Sequence, residues 1–202
     1  MSTHAEDIGL VEAFRRGEES AFTALVIKYR ESLYRIARRF VHSHEDAADV
    51  TQEVLIRVHR ALPRFAGRAQ LRTWLFRITV NLCLDFASRR SKEMLPGLTD
   101  LLKEPTASPD QEPAEWLERR ELGEIVVRAI DALPPRQRAM VVLRVYQDLP
   151  YADIGQVMGC AEGTVKATMF AAFAKLRKSL APYAMESRAR DGEHQLRGGD
   201  SR

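Results

Sequence analysis

The chain reads as all-α: two helical domains joined by a flexible acidic linker. Three observations lead there. Apolar residues recur at steps of three and four through both halves of the sequence, and no stretch sustains the alternation of a half-buried strand. Between the halves, residues 91–115 lose that periodicity and gather prolines and acids. Apolar residues make up 45% of the chain, an ordinary share for a globular protein able to form a core.

The first domain spans residues 8–90. Leu10, Val11 and Phe14 share one helical face, and Gly17 interrupts the pattern. A second helix opens at Glu18, Glu19 and Ser20 and carries Phe22, Leu25, Val26, Tyr29, Leu33, Ile36, Ala37 and Phe40 inward. The spacing predicts a third helix over 46–62. Ser43 and Asp46, three residues apart, form a capping-box-like start, and Pro63 marks its end. Its apolar stripe is Val50, Val54, Leu55, Val58 and Leu62. After the turn RFAGRA comes a fourth helix with Leu71, Trp74, Leu75, Ile78, Leu82 and Phe86 on its inner stripe. Together these form a helical bundle.

Residues 91–115 are read as an extended linker, with Leu95, Leu98, Leu101 and Leu102 able to dock transiently. The second domain spans 116–182. It begins with Trp116, Leu117, Leu122, Ile125, Val126, Ala129, Ile130 and Leu133, then a proline-started helix through Met140, Val141, Leu143 and Val145. Two further helices are split at Gly159. The polar tail 183–202 is expected to be disordered.

Charge follows the same division. Residues 1–90 hold 15 Lys and Arg against 11 Asp and Glu, and 119–202 hold 14 against 10, so each block carries +4. Residues 91–118 hold 2 against 7, a net of −5. Two mildly basic blocks flank an anionic connector, which suits a polyanionic partner without specifying one. No run approaches the ~18 apolar residues of a membrane span, and the start MSTHAEDIGL lacks the basic and apolar regions of a secretory signal. Membrane insertion is therefore not expected, and a cytoplasmic setting is. Cys83 and Cys160 stand in apolar stretches without a CxxC partner and read as reduced, buried thiols. No nucleophile–base set, phosphate-binding loop or cofactor motif is present, so no enzymatic activity and no cofactor is expected. His42 and His44 beside Glu45 and Asp46 read as a solvated helix start rather than a metal site.

The stretch YADIGQVMGCAEGTVKATMF has the pattern of a helix-turn-helix. Gly155 falls where crossing helices approach closely, and Gly159 falls where the turn needs positive φ. Ile154, Val157, Met158, Val165 and Met169 would pack the two helices together, with Ala172 and Leu176 also facing inward. Gly163 and Thr164 open the second helix, whose free amides and hydroxyl suit a phosphate. Its solvent face offers Lys166, Ala167, Thr168, Phe170 and Lys175. Lys166 can reach phosphate or guanine, and Thr168 and Phe170 a thymine methyl. An ordinary helical hairpin has the same packing, and the motif alone says only that DNA is bound.

QLRTWLFRITVNLCLDFASRR shows Arg72, Thr73, Phe76, Arg77, Val80, Asn81 and Arg89 on the face away from its inner stripe. Aromatic, amide and guanidinium groups together suit single-stranded or melted DNA. The other reading keeps Trp74 and Phe76 in the core and the arginines solvated.

These stretches, in this order, resemble the extracytoplasmic-function sigma factors of bacterial RNA polymerase. AFTALVIKYRESLYRIARRF is similar to the opening core-binding helix of their region two. DAADVTQEVLIRVHRALPRF is similar to the family's D-A-E-D-x-x-Q-E helix, with Ala48 in place of the usual Glu, and TWLFRITVNLCLDFASRR to its minus-ten helix. LPPRQRAMVVLRVYQDLPYADIGQVMGCAEGTVKATMFAAFAKLRKSL is similar to region four.

The resemblance implies that Asp49, Gln52, Glu53 and Arg57 contact the β′ clamp of the polymerase core. It implies that Phe65, Arg68, Arg72, Thr73, Trp74, Phe76, Arg77, Asn81 and Arg89 engage the melted minus-ten element, with one base extruded into a pocket formed by the loop RFAGRAQL. Extrusion costs a few kcal/mol per unstacked step and needs compensating contacts. Region four would meet the β flap and bind the minus-thirty-five element as duplex. The acidic linker would thread toward the active centre and RNA exit path, mimicking nucleic acid. An anti-sigma factor would cover both domains.

One departure stands out. The family commonly reads GTVKSR-x-x-RAR in its second helix, and this chain has Ala167, Thr168, Ala171 and Phe173 where Ser, Arg, Arg and Arg are usual. Three missing cations predict fewer phosphate contacts. Phe170 and Phe173 would then favour thymine methyls or serve a protein partner. A helix-turn-helix regulator that acts without core polymerase, or a helical scaffold that binds no DNA, stays open at this point.

Overall fold

The computed structural model describes residues 3–41, 43–93 and 114–197, with side chains over 4–41, 43–89 and 122–183. Eight α-helices follow one another, with no strand among the described residues. They are α1 (Thr3–Arg15), α2 (Glu19–Ala37), α3 (His44–Ala61), α4 (Leu71–Glu93), α5 (Ala114–Asp131), α6 (Pro135–Val145), α7 (Tyr151–Met158) and α8 (Glu162–Arg197). A 3-10 turn, Leu62–Arg64, follows α3, where Pro63 cannot extend the α-helical ladder.

The first bundle is organised around α2, which packs on α1, α3 and α4. Its Leu25, Tyr29, Leu33, Ile36 and Ala37 recur at steps of three and four and are buried. The start of α3 is set by its cap: the Ser43 hydroxyl accepts the Asp46 amide at 2.9 Å, satisfying one of the free donors of the first turn. From that start, Val50, Val54 and Val58 reach the core. α4 then closes the bundle against α2 and α3.

In the second half, α6 is the hub. Ala139, Met140, Val141, Val142 and Leu143 are buried in succession, which a helix shows only when it is enclosed on most sides. α4, α5, α7 and α8 supply that enclosure. α7 ends at Gly159, which takes the left-handed conformation (φ 65°) and lets the Cys160 amide donate back to the Gly155 carbonyl at 3.0 Å.

Three expected boundaries move. The first helix begins at Thr3 rather than near residue 8, and α3 begins at His44. The chain beyond Pro182, expected to be disordered, continues as helix to Arg197. Leu176 and Leu180, just before the proline, pack on the core and hold that part of α8 in place. Most of the expected linker, with Leu95, Leu98, Leu101 and Leu102, lies outside the described residues, as do His42 and 198–202.

The two halves meet along a seam. α4 packs on α7 and α6 as well as on α2 and α3. Arg72 on α4 donates to the Gln147 carbonyl at 2.8 Å. The Arg39 guanidinium lies 4.2 Å from the Tyr146 ring centroid, and Arg138 of α6 lies 6.0 Å from that of Phe40. Arg138 also donates to the Arg39 carbonyl at 3.4 Å and pairs with Asp131. Four buried side-chain atoms lack a hydrogen-bond partner among the described residues: Arg72 Nε, Thr73 Oγ1, Arg138 Nε and Gln147 Nε2. All four belong to α4, α6 or the turn that follows α6. An unsatisfied buried donor costs about 1–3 kcal/mol, so this contact is less well matched than the cores on either side.

Candidate nucleic-acid and polymerase interface

The solvent side of α3 is one continuous stripe. Asp49 and Gln52 lie opposite Val50, Val54 and Val58, while Glu53 and Arg57 flank that buried line. Arg57 donates to Glu53 at 2.7 Å, an exposed pair one turn apart. Such pairs contribute a few tenths of a kcal/mol, so the charges stay available to a partner. Ile56 sits inside this stripe with 38% of its surface exposed. Sequence reasoning missed it, although its place seven residues after Asp49 and off the 50–54–58 line is the signal that would have found it.

The loop between α3 and α4 is held from two sides. Phe65 is buried, and its ring centroid lies 5.1 Å from that of Trp74, tilted by 49°. Arg15, the last residue of α1, donates from Nε to the Pro63 carbonyl at 3.1 Å and from Nη2 to the Phe65 carbonyl. Arg68 projects into solvent.

On α4 the structure corrects the expected outer face. Thr73, Phe76 and Val80 are buried, Phe76 with only 1% of its surface exposed. Arg72 is half-buried and committed to Gln147. The physical reason is that α4 has neighbours on two sides, so its buried arc is far wider than a single stripe. The face left to solvent is Arg77, Asn81 and Arg89, with half-buried Trp74 beside them. Asp85, one turn after Asn81, is exposed as well and was not singled out. The inner stripe also shifts: Thr79 is fully buried, its hydroxyl donating to the Leu75 carbonyl at 2.9 Å, while Trp74, Ile78, Leu82 and Phe86 are only partly buried.

α7 and α8 form the helix-turn-helix. Val165, Met169, Ala172 and Leu176 face inward, as their spacing predicts. Gly163, Thr164, Lys166, Ala167, Phe170 and Lys175 are exposed, and Thr168 is half-buried. Phe170 shows 79% of its surface and Phe173 38%, a large apolar display for one helix face. Lys166 pairs with Glu162 one turn earlier at 2.7 Å, and that hydrogen bond raises the lysine above its ordinary range, so it stays charged. Lys175 donates to the Gln137 amide oxygen at 3.2 Å. The pairing of Glu162 with Lys166 was not anticipated; their i, i+4 spacing carried the signal.

Among the described residues no three His, Cys, Asp or Glu side chains gather as a metal site, and no helix is long and apolar enough to cross a membrane. Cys83 is buried, and burial pushes its thiol up to about 12. Cys160, expected to be buried, is only partly so.

Comparison with known proteins matches both halves of the chain to one family. Sigma-70 region 2 matches residues 25–93, and Sigma-70, region 4 matches residues 123–176. The RNA polymerase sigma-H factor of Pseudomonas aeruginosa is 35% identical over 195 residues, covering 93% of this chain and all of the relative. The ECF RNA polymerase sigma-E factor of Escherichia coli K12 is 32% identical over 178 residues, covering 85% of this chain and 93% of the relative. Among solved structures, CnrH in complex with the cytosolic domain of CnrY superposes with a TM-score of 0.67 at 24% identity, over 88% of this chain and 98% of that one. The sigma factor RpoE of Bartonella quintana, solved with the anti-sigma factor NepR, gives 0.62 at 22% identity, over 79% and 96%. These two likenesses establish the fold. With both regions matched in order and relatives above 30% identity along nearly their whole length, the chain belongs to the extracytoplasmic-function sigma factors.

Proposed function

We propose that this chain joins RNA polymerase core, brings it to specific promoters and melts the minus-ten element, acting by binding rather than by catalysis. The α3 stripe of Asp49, Gln52, Glu53 and Arg57, extended by Ile56, is the surface offered to the β′ clamp. The exposed edge of α4, with Trp74, Arg77, Asn81 and Arg89, and the loop carrying Phe65 and Arg68 receive the unpaired minus-ten strand. Arg77 and Arg89 neutralise phosphate, Asn81 reads a base edge, and Trp74 offers a ring for stacking. Buried Thr73 and Phe76 support this surface from beneath.

The helix-turn-helix takes the minus-thirty-five element as duplex, with Gly163 and Thr164 near a phosphate and Lys166, Ala167, Thr168, Phe170 and Lys175 in the major groove. The observation that carries the reading is the pairing, in one chain, of a single-strand-type surface on α4 with a duplex-type helix α8. A regulator working without polymerase needs only the second. Region four also meets the β flap in this reading, and an anti-sigma factor is the expected inhibitor, since the RpoE structure above was solved with one. The place of action is the cytoplasm, where core polymerase is.

The test is reconstituted transcription with core polymerase on a randomised promoter pool. Enrichment of two spaced elements, dependent on this chain, supports the reading; transcripts that do not depend on it count against it.

A further inference from the structure

Sequence alone assigns nothing to Arg15, which looks like one of two solvated arginines before Gly17. The structure separates the pair. Arg16 turns to Glu18, at 3.0 Å. Arg15 instead crosses to the loop between α3 and α4 and places its guanidinium between two main-chain carbonyls, of Pro63 and Phe65. A guanidinium fork meets two acceptors at once in a fixed geometry, which a lysine cannot reproduce.

The loop needs such a tether. Its last main-chain bond on the α3 side is the Phe65 amide to the Leu62 carbonyl at 3.0 Å, and the next is the Trp74 amide to Gln70 at 3.1 Å. No main-chain hydrogen bond beyond helix or turn ladders involves residues 66–69 among those described. α1 also lies along this loop: a Cβ added at Gly67 would stand 4.0 Å from Ile8 Cδ1. α1 precedes the segment matched to region 2, so the contact joins that segment to a helix outside the match.

We propose that Arg15 is a positioning residue for promoter recognition. By holding the Pro63 and Phe65 carbonyls, it fixes the loop that receives the unstacked minus-ten base, without itself touching DNA. This rests on the function proposed above, because only that reading makes the 65–70 loop a base receptor. Phe65 is the connecting part: its carbonyl is held by Arg15 and its ring lies against Trp74, so loop and α4 surface are set relative to each other through one residue.

The experiment uses full-length chain with core polymerase and a promoter that the wild-type holoenzyme selects from a randomised pool. R15M keeps the aliphatic stem and removes the donors; R15K keeps the charge but not the fork. Binding of single-stranded minus-ten oligonucleotides, matched or altered at each base in turn, is measured for each holoenzyme. The expected result for R15M is loss of at least about fivefold discrimination at one base position, since a misplaced contact group loses most of its advantage. R15K should fall between R15M and wild type, with association to core and binding to minus-thirty-five duplex unchanged in both. Amide hydrogen exchange at Phe65 and Trp74, the bonded amides on either side of the loop, should quicken in R15M while α2 and the body of α3 stay protected, a readout that needs no DNA. Unchanged discrimination and unchanged exchange in R15M overturn the proposal while leaving the proposed function intact. A wild-type holoenzyme that binds no minus-ten strand overturns the function, and this proposal with it.

Discussion

A Cβ placed on Gly155 would lie 2.7 Å from the carbonyl oxygen of Cys160, closer than side-chain carbons approach main-chain atoms in folded proteins. The absent side chain is what lets α7 and α8 cross at the turn, and the same Gly155 accepts the Cys160 amide through its own carbonyl. Gly155→Ala therefore forces a backbone shift in the helix-turn-helix. The expected cost is about 1–3 kcal/mol, the range for inserting one carbon into a packed site. Chemical denaturation checks the stability, and a duplex-binding assay should show weakened minus-thirty-five binding.

Thr73 and Asn81 belong to the same motif on α4 but have opposite fates. Thr73 is buried with its hydroxyl unpartnered, whereas Asn81 is exposed. Thr73→Val keeps the shape and removes an unsatisfied polar group, so it should be neutral or stabilising by up to about 1 kcal/mol. Minus-ten binding should hold. Asn81→Ala should leave stability within about 0.5 kcal/mol, as a surface change does, and weaken minus-ten binding. Paired denaturation curves and strand-binding measurements separate the two residues.

Asp7 is buried and receives Lys28 at 2.7 Å and the Tyr29 hydroxyl at 2.5 Å. The hydrogen bond to Asp7 raises Lys28 above its ordinary 10.5. Burial first, and the bond to Asp7 second, raise Tyr29 above 10.0. Burial likewise takes Cys83 from 9.0 to about 12. In each case the folded state holds its proton more tightly than the unfolded chain. The stability these groups contribute is thus complete below pH 9 and declines as pH climbs above the unfolded values of 9.0, 10.0 and 10.5. Tyr29→Phe should cost about 1–3 kcal/mol at neutral pH and flatten part of the alkaline decline. Unfolding midpoints between pH 7 and 11 check this.

The α8 face at Thr168, Ala171 and Phe173 lacks the arginines common in the family, and Ala171 and Phe173 are exposed. Restoring arginine at Thr168 and Ala171 should steepen the salt dependence of minus-thirty-five binding by about 0.9 in log–log slope for each new phosphate contact. Phe170→Ala should weaken binding with little change in that slope, because the contact it removes is apolar. Titrations of holoenzyme on duplex at several salt concentrations distinguish the two behaviours.

How legible this was in the sequence depended on how many neighbours a helix has. α8 meets its partners on one side, so the spacing of Val165, Met169, Ala172 and Leu176 disclosed its inner face directly. Ser43 was equally plain, because a cap is a local bond. α4 was misread because it packs on α2 and α3 on one side and on α6 and α7 on the other. Its second buried edge, Thr73, Phe76 and Val80, depends on residues some seventy positions away in sequence, as Arg72 meeting Gln147 illustrates. Arg15 was invisible for the same reason: its acceptors are carbonyls 48 and 50 residues on, and carbonyls leave no mark in a sequence. The helix past Pro182 was missed because its polar composition reads as disorder, and the proline disfavours but does not forbid continuation of the helix.

A sigma factor acts only as a subunit of RNA polymerase, so association with core is the decisive measurement. Purified chain, free of any inhibitor, should bind purified core polymerase in a one-to-one complex on gel filtration, and charge reversal at Asp49 together with Gln52→Ala should weaken that complex. A wild-type chain that stays folded, elutes apart from core and yields no promoter-directed transcript is not a polymerase subunit.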